Sequence, residues 1–170
     1  LEEACMASGV PYRIYGGTKF YDRAEVKTVL CYLKLINNTE DSQSLRRVIN
    51  IPKRGIGDTT VKNLSDFAAS KDISLYEAIK ICEDSEIAPK TRAKLKDFAN
   101  LIYKFQQAKD SYSLKEFVTL VIEKSGYLAE LQAKASTDPD FQDDIDNLQE
   151  LVNVAEEFIP EEEDNILGEF

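Results

Sequence analysis

Histidine is absent from this chain of 170 residues, which removes the commonest general base and the commonest metal ligand in proteins. The three cysteines, Cys5, Cys31 and Cys82, are odd in number and far apart, so they give neither a disulfide framework nor a zinc-ligand spacing. We expect them to be reduced, mostly buried thiols in a cytoplasmic protein.

Catalytic motifs are missing as well. The chain has no phosphate loop of the Gly-x-x-x-x-Gly-Lys-Ser/Thr type, and no nucleophile or carboxylate pair stands in a recognisable catalytic setting. A self-contained enzyme is therefore disfavoured. We expect the chain alone to be non-catalytic and to hold no cofactor or metal.

Glycine and proline are scarce, with seven and five residues, and this scarcity favours helices over a many-turned β fold. No apolar run is long enough to span a membrane and no secretory signal is present, so we expect no membrane partner. The chain starts at Leu1 without a methionine, and a new apolar pattern begins just before Phe170. We expect both ends to be cuts through a longer protein.

The net charge of −10 is unevenly distributed. Residues 1–62 carry ten basic against seven acidic side chains, whereas residues 125–170 carry Lys134 against fourteen acidic ones. An acidic surface repels phosphates, but this segregation allows a basic nucleic-acid face in the first part of the chain. It also leaves open a different class of function, in which the acidic last quarter is a protein-docking face.

Apolar residues recur at helical spacing from residue 22 onward. Asp22 with Glu25, and Ser113 with Glu116, fit capping boxes at two helix starts. Pro89 is expected in a first turn, and a last helix is expected after residues 137–139. Residues 11–15 alternate as in a short strand. The predicted fold is mainly α, with a helix-hairpin-helix-like element and a short N-terminal strand-containing segment.

The hairpin is predicted at residues 48–61, where an apolar run ends at Pro52 and Asp58 is expected to cap the next helix. An ordinary helix connection would need one glycine for its turn. This stretch combines adjacent basic residues, spaced glycines and a polar cap run, which favours a phosphate grip at a helix N-terminus. The candidate DNA-binding residues are Lys53, Arg54, Gly55, Ile56, Gly57, Thr59 and Thr60.

Two blocks carry a family resemblance: residues 12–27, YRIYGGTKFYDRAEVK, and residues 50–57, NIPKRGIG. They resemble consecutive blocks of the UvrD/PcrA/Rep-type superfamily 1 DNA helicases and are most similar to the PcrA branch. Residues 125–127, SGY, together with residues 146–151, DNLQEL, give a third, weaker resemblance to the same family. In that family the Gly-Ile-Gly hairpin touches duplex DNA ahead of the fork.

The resemblance implies that residues 1–20 are the end of the second motor domain (2A). Residues 21–170 would be the helical inserted subdomain (2B), truncated at its C-terminal end. It further implies an ATP-dependent 3′-to-5′ helicase of DNA repair and replication, whose ATP and Mg²⁺ sites lie outside this chain. The expected partners are double-stranded DNA at a single-strand/duplex junction, the remaining motor domains of the same protein, and regulatory proteins. The alternative remains a helical regulatory module that docks through its acidic face.

Overall fold

The computed structural model describes residues 18–158, and these residues are helical apart from short connections. The helices are α1 Thr18–Tyr21, α2 Ala24–Asn37, α3 Ser42–Val48, α4 Asp58–Lys71, α5 Leu75–Lys80, α6 Pro89–Ala108, α7 Leu114–Lys124, α8 Tyr127–Ala135 and α9 Asp140–Glu157. Single 3₁₀ turns follow α5 at Cys82–Asp84 and α6 at Lys109–Ser111. Residues 18–158 contain no strand, so the mainly α prediction is confirmed. The predicted strand at residues 11–15 and the thiol Cys5 lie outside the described residues.

Helix α2 is the centre of the packing. It contacts α3, α6, α7 and α9, and its predicted apolar stripe is mostly buried: Leu30 is half-buried, whereas Val26, Val29, Leu33 and Ile36 lie in the core. Those four side chains are each at most 3% exposed. Burial of this stripe against several neighbouring helices supplies most of the free energy that stabilises α2, because isolated helices of this length are marginally stable in water.

The local helix signals were correct at several starts. Ser113 and Glu116 form the reciprocal capping box of α7, and Pro89 is the first residue of α6. At the start of α3, Asp41 accepts a hydrogen bond from the amide of Ser44 at 3.1 Å. Gly126 ends the α7 turn at φ +89°, a left-handed conformation that glycine tolerates. These positions follow from local backbone requirements alone.

Two predicted caps were wrong. Asp22 does not cap α2: the N-cap is Arg23, without a side-chain hydrogen bond, and Glu25 is turned inward with 6% exposure. Asp58 is the first residue of α4, and the extended residue before it, Gly57, is the N-cap. In each case an acidic residue fits a capping pattern, but the chain enters the helix one residue away from it.

Among residues 18–158, none of the helices has the length and apolarity needed to cross a membrane. Cys82 is fully buried and Cys31 partly buried, both as free thiols, and burial raises the pKa of the Cys82 thiol.

Candidate nucleic-acid interface

The loop of residues 49–57, called the hairpin below, joins α3 to α4. Gly55 has φ +75°, which a residue with a side chain rarely adopts. Gly57 is extended and precedes the first turn of α4. Between these glycines Ile56 is only 1% exposed, so its side chain anchors the hairpin in the core. The Gly-Ile-Gly sequence is therefore an apolar anchor between two turn positions.

Asn50 shapes the turn from within. Its side-chain oxygen Oδ1 accepts hydrogen bonds from the backbone amides of Arg54, at 2.7 Å, and Ile56, at 3.2 Å. A side-chain amide is suited to this because it satisfies loop backbone groups that no helix can pair. Sequence reasoning missed this role, although an Asn before a Pro-Lys-Arg-Gly turn is a signal for a local side chain–backbone bond.

Arg54 points into the protein. Its Nη1 donates to the carbonyl oxygens of Val48, Ile49 and Ile51, at 2.9, 3.2 and 3.1 Å. Its Nη2 donates to the Tyr32 hydroxyl at 2.6 Å and to the Ser125 carbonyl at 3.2 Å.

The guanidinium also lies over an aromatic ring, with its carbon 5.0 Å from the centroid of Phe98. The planar fork of arginine can serve several acceptors at once in this way. Arg54 therefore ties the end of α3 and the hairpin to α2, to α6 and to the turn after α7. Its predicted contact with a DNA phosphate remains a prediction.

Tyr32 is the buried partner of Arg54 on α2, with no exposed surface. Its hydroxyl accepts from Arg54 and donates to the carbonyl oxygen of Ile51. Burial raises the pKa of Tyr32, and the Arg54 charge opposes that rise. A tyrosine at this place in an apolar stripe is a signal that a polar group must meet its hydroxyl.

The opposite side of the hairpin faces solvent. The Lys53 side chain is exposed, and its backbone amide is held by Glu130 Oε2 on α8 at 2.9 Å. Thr59 is exposed and Thr60 half-buried in the first turn of α4.

That first turn has no side-chain cap. In the hairpin and this first turn, the backbone amides of Gly55, Gly57, Asp58, Thr59 and Thr60 have no acceptor among residues 18–158. Uncapped amides at a helix N-terminus attract anions, because they are donors at the positive end of the helix dipole.

The structure thus divides the seven predicted site residues into two groups. The Arg54 and Ile56 side chains hold the hairpin in the core, and the Ile56 amide is taken by Asn50. Lys53, Gly55, Gly57, Thr59 and Thr60 present exposed side chains or unbonded amides along the tip and the start of α4. We call the first group, Arg54 and Ile56, the base of the hairpin, and the second group its tip.

A second polar cluster lies on α2, seven residues before Tyr32. Glu25 is hydrogen-bonded to Asp144 of α9, and burial together with this neighbour raises the pKa of Asp144 to about 6. Arg23 and Lys134 partly oppose the rise. Beside them, burial raises the pKa of Tyr127 to about 12.

Comparison with known proteins gives a consistent result over the whole chain. The family model described as UvrD-like helicase C-terminal domain matches residues 1–169. The chain is 33% identical over 170 residues to the ATP-dependent DNA helicase PcrA of Bacillus subtilis, an alignment that covers 100% of this chain and 23% of that protein.

Two further relatives are identical to this chain to a similar extent. The identity is 35% over 171 residues to PcrA of Staphylococcus epidermidis, covering 99% of this chain and 23% of the relative. It is 34% over 165 residues to the ATP-dependent DNA helicase UvrD1 of Mycobacterium tuberculosis, covering 96% of this chain and 21% of the relative. The chain therefore spans less than a quarter of the length of these curated relatives.

Proposed function

Because this chain belongs to the UvrD-like helicase C-terminal domain family, we propose that it is the duplex-contacting subdomain of an ATP-dependent 3′-to-5′ DNA helicase. Residues 1–20 would complete the second motor domain, and residues 21–170 would form the inserted helical subdomain. The ATP and Mg²⁺ of the reaction would be bound elsewhere in the longer protein, which acts in the cytoplasm in DNA repair and replication.

The observation that carries the proposal is the division of the hairpin. Its base is fixed by Arg54 and Asn50, and its tip offers unbonded amides beside the exposed Lys53. A rigid loop that leaves donors unpaired at a helix start is suited to a phosphate of the DNA backbone. Contacts of this kind position a duplex and do not read its sequence.

Within this proposal the hairpin binds the duplex side of a single-strand/duplex junction, while the motor domains pull on the single strand. The energy of translocation comes from ATP hydrolysis outside this chain. The contribution of the hairpin is electrostatic and independent of sequence, so it holds every duplex in the same register relative to the motor.

Direct binding tests the proposal. Fluorescence anisotropy of a labelled duplex with a single-stranded tail should show weak binding by the chain, and log affinity should fall with log salt with a slope of roughly −2 to −4. Lys53→Ala should weaken binding alike for duplexes of unrelated sequence. Binding that is unchanged by salt and by Lys53→Ala would rule out the hairpin as a phosphate site.

The variant Gly57→Asp should change the stability of the fold and its affinity for DNA in opposite directions. A Cβ at Gly57 would meet no atom within 4 Å, so an aspartate is accommodated there and caps the amides of α4. We expect the free energy of unfolding to rise by about 0.5 kcal/mol through the better cap. Binding to the same duplex should nevertheless fall at least tenfold, because the carboxylate occupies the amides and repels the phosphate.

The acidic docking face remains the alternative function. Asp140, Asp143 and Asp146 are exposed on α9, which leaves an acidic surface for a basic partner protein. Failure of the duplex to bind, with the helical structure intact by circular dichroism, would favour this alternative. The two functions use different surfaces and can also coexist.

A further inference from the structure

Helix α6 brings a second lysine to the tip of the hairpin. Lys94 and Phe98 are four residues apart on α6 and therefore share one face of the helix. Phe98 lies under the Arg54 guanidinium, and Lys94 lies against the next residue of the hairpin, Gly55. The hairpin thus crosses this face of α6 with Arg54 over one side chain and Gly55 over the other.

The contact with Gly55 is close. A Cβ built on Gly55 would lie 2.8 Å from Lys94 Nζ and 3.5 and 3.6 Å from the Lys94 Cε and Cδ atoms. The Lys94 ammonium therefore occupies the space beside Gly55, and the lysine stem lies in ordinary van der Waals contact with it. Gly55 is required for its φ of +75°, and the Lys94 ammonium lies where its side chain would otherwise be.

The ammonium at this place is not neutralised. Lys94 is half-buried and forms no ion pair with any residue in the range 18–158. By contrast Lys96, two residues later on the same helix, pairs with Glu83. An unpaired ammonium beside Gly55, whose backbone amide has no acceptor within residues 18–158, creates a positive potential at the tip.

We propose that Lys94 is a phosphate-binding residue of the hairpin, and that with Lys53 it supplies the positive charge that the sequence assigns to Lys53 and Arg54. The ligand is a backbone phosphate of duplex DNA, so the inference rests on the proposed function. Arg54 is committed to the base, and its place at the tip is taken by a lysine forty residues later in the chain.

Lys94→Gln tests the assignment, and Lys90→Gln is the matched control. Lys90 is exposed one turn earlier on α6 and likewise forms no ion pair within residues 18–158, so both variants remove one charge from the same helix. Binding of the 170-residue chain to the tailed duplex is measured by anisotropy over a range of salt concentrations.

We expect Lys94→Gln to weaken binding about three- to tenfold and to make the salt slope shallower by about 0.9, the value for one lost phosphate contact. Lys90→Gln should change affinity less than about twofold, since it alters only the general potential. Lys94→Arg, which keeps the charge, should retain the wild-type slope.

The outcomes separate the two proposals. Equal effects of Lys94→Gln and Lys90→Gln, with Lys53→Ala still weakening binding, would overturn the role of Lys94 and leave the proposed function standing. A wild-type chain that does not bind the duplex would overturn both. Circular dichroism melts check that every variant folds. Lys94→Gln removes no buried hydrogen bond, so it should keep the wild-type melting temperature.

Discussion

Two sites on the inner face of α2 place a charged side chain against the core, and the cost of burying that charge is reduced in a different way at each. Near the C-terminal half of the helix, the Arg54 guanidinium is placed against Tyr32 and donates to five oxygen acceptors. Near its start, Glu25 is buried beside Asp144, an acid of the same sign. The two sites are seven residues, or two helical turns, apart on one stripe.

The difference shows how a core tolerates charge. A buried ion is costly unless every donor or acceptor has a partner, or unless the group becomes neutral. Arg54 cannot lose its proton, so the hairpin carbonyls are gathered around it. Asp144 can gain one, and burial together with Glu25 raises its pKa to about 6. The first site is stabilised by its hydrogen-bond geometry, and the second is stabilised only where Asp144 is protonated.

Arg54→Met should break the first site and have the largest effect. The carbonyl oxygens of Val48, Ile49 and Ile51 and the Tyr32 hydroxyl would lose their donor while remaining partly or fully buried. We expect the free energy of unfolding to fall by about 3 kcal/mol, measured by urea denaturation.

The control for this change is Lys53→Met, because Lys53 is the exposed neighbour and its loss should alter stability by less than about 0.5 kcal/mol. Arg54→Lys keeps the charge but lacks the planar fork, so it should recover only part of the stability. Equal free energies of unfolding for Arg54→Met and Lys53→Met would mean that the hairpin base is held without Arg54.

Tyr32→Phe should have the next largest effect. It keeps the ring in the core but removes the hydroxyl that links Arg54 to the Ile51 carbonyl. A loss of about 1.5 kcal/mol is expected by urea denaturation, because one acceptor of the guanidinium disappears and one donor to a loop carbonyl with it. The double variant Arg54→Met with Tyr32→Phe should lose less than the sum, since the two side chains share a bond. Strict additivity would contradict the shared role.

Asp144→Asn should have the smallest effect, and of the opposite sign. The folded protein raises the pKa of Asp144 to about 6, above the unfolded value near 4, so its contribution to stability is complete below pH 4 and is lost as the pH rises through 6. At pH 7.5 the amide should therefore stabilise the fold by about 1 kcal/mol, less than the full linkage value because Asp144 is partly exposed and water screens its charge.

The pH dependence provides the check. Wild type and Asp144→Asn should unfold with nearly equal free energies at pH 4 and diverge between pH 5 and 7. Asp143→Asn, at the exposed position next to it, should show no such divergence. A stabilisation that persists unchanged at pH 4 would show that Asp144 does not titrate against Glu25.

The two sites also explain how much could be predicted from the sequence. The capping box at Ser113, Pro89 in the first turn of α6 and the apolar stripe of α2 depend on neighbours within a few residues, and these predictions were confirmed. Glu25 satisfied a local capping pattern, yet tertiary packing against α9 determined its direction.

The hairpin shows the same limit at the candidate site. Its glycines and its Pro-Lys-Arg run predicted the position of the turn correctly. The opposite uses of Lys53 and Arg54 could not be predicted, because the partners of Arg54 include Tyr32 and Ser125, which only the folded chain brings together. The polar Asn50 and Tyr32 were the available signals, since each needs a partner in an otherwise apolar setting.

The hydrogen bonds of the hairpin to α8 and to the turn before it impose an order of assembly. The Lys53 amide is bound by Glu130, and Arg54 donates to the carbonyl of Ser125, across 77 and 71 residues of chain. A growing polypeptide that has reached the end of α4 already contains both helices that flank the hairpin, but it lacks these two acceptors. Contacts so distant in sequence form late, because closing a long loop costs entropy before the contact is gained. The hairpin thus takes its final shape only after α8 has been made and docked.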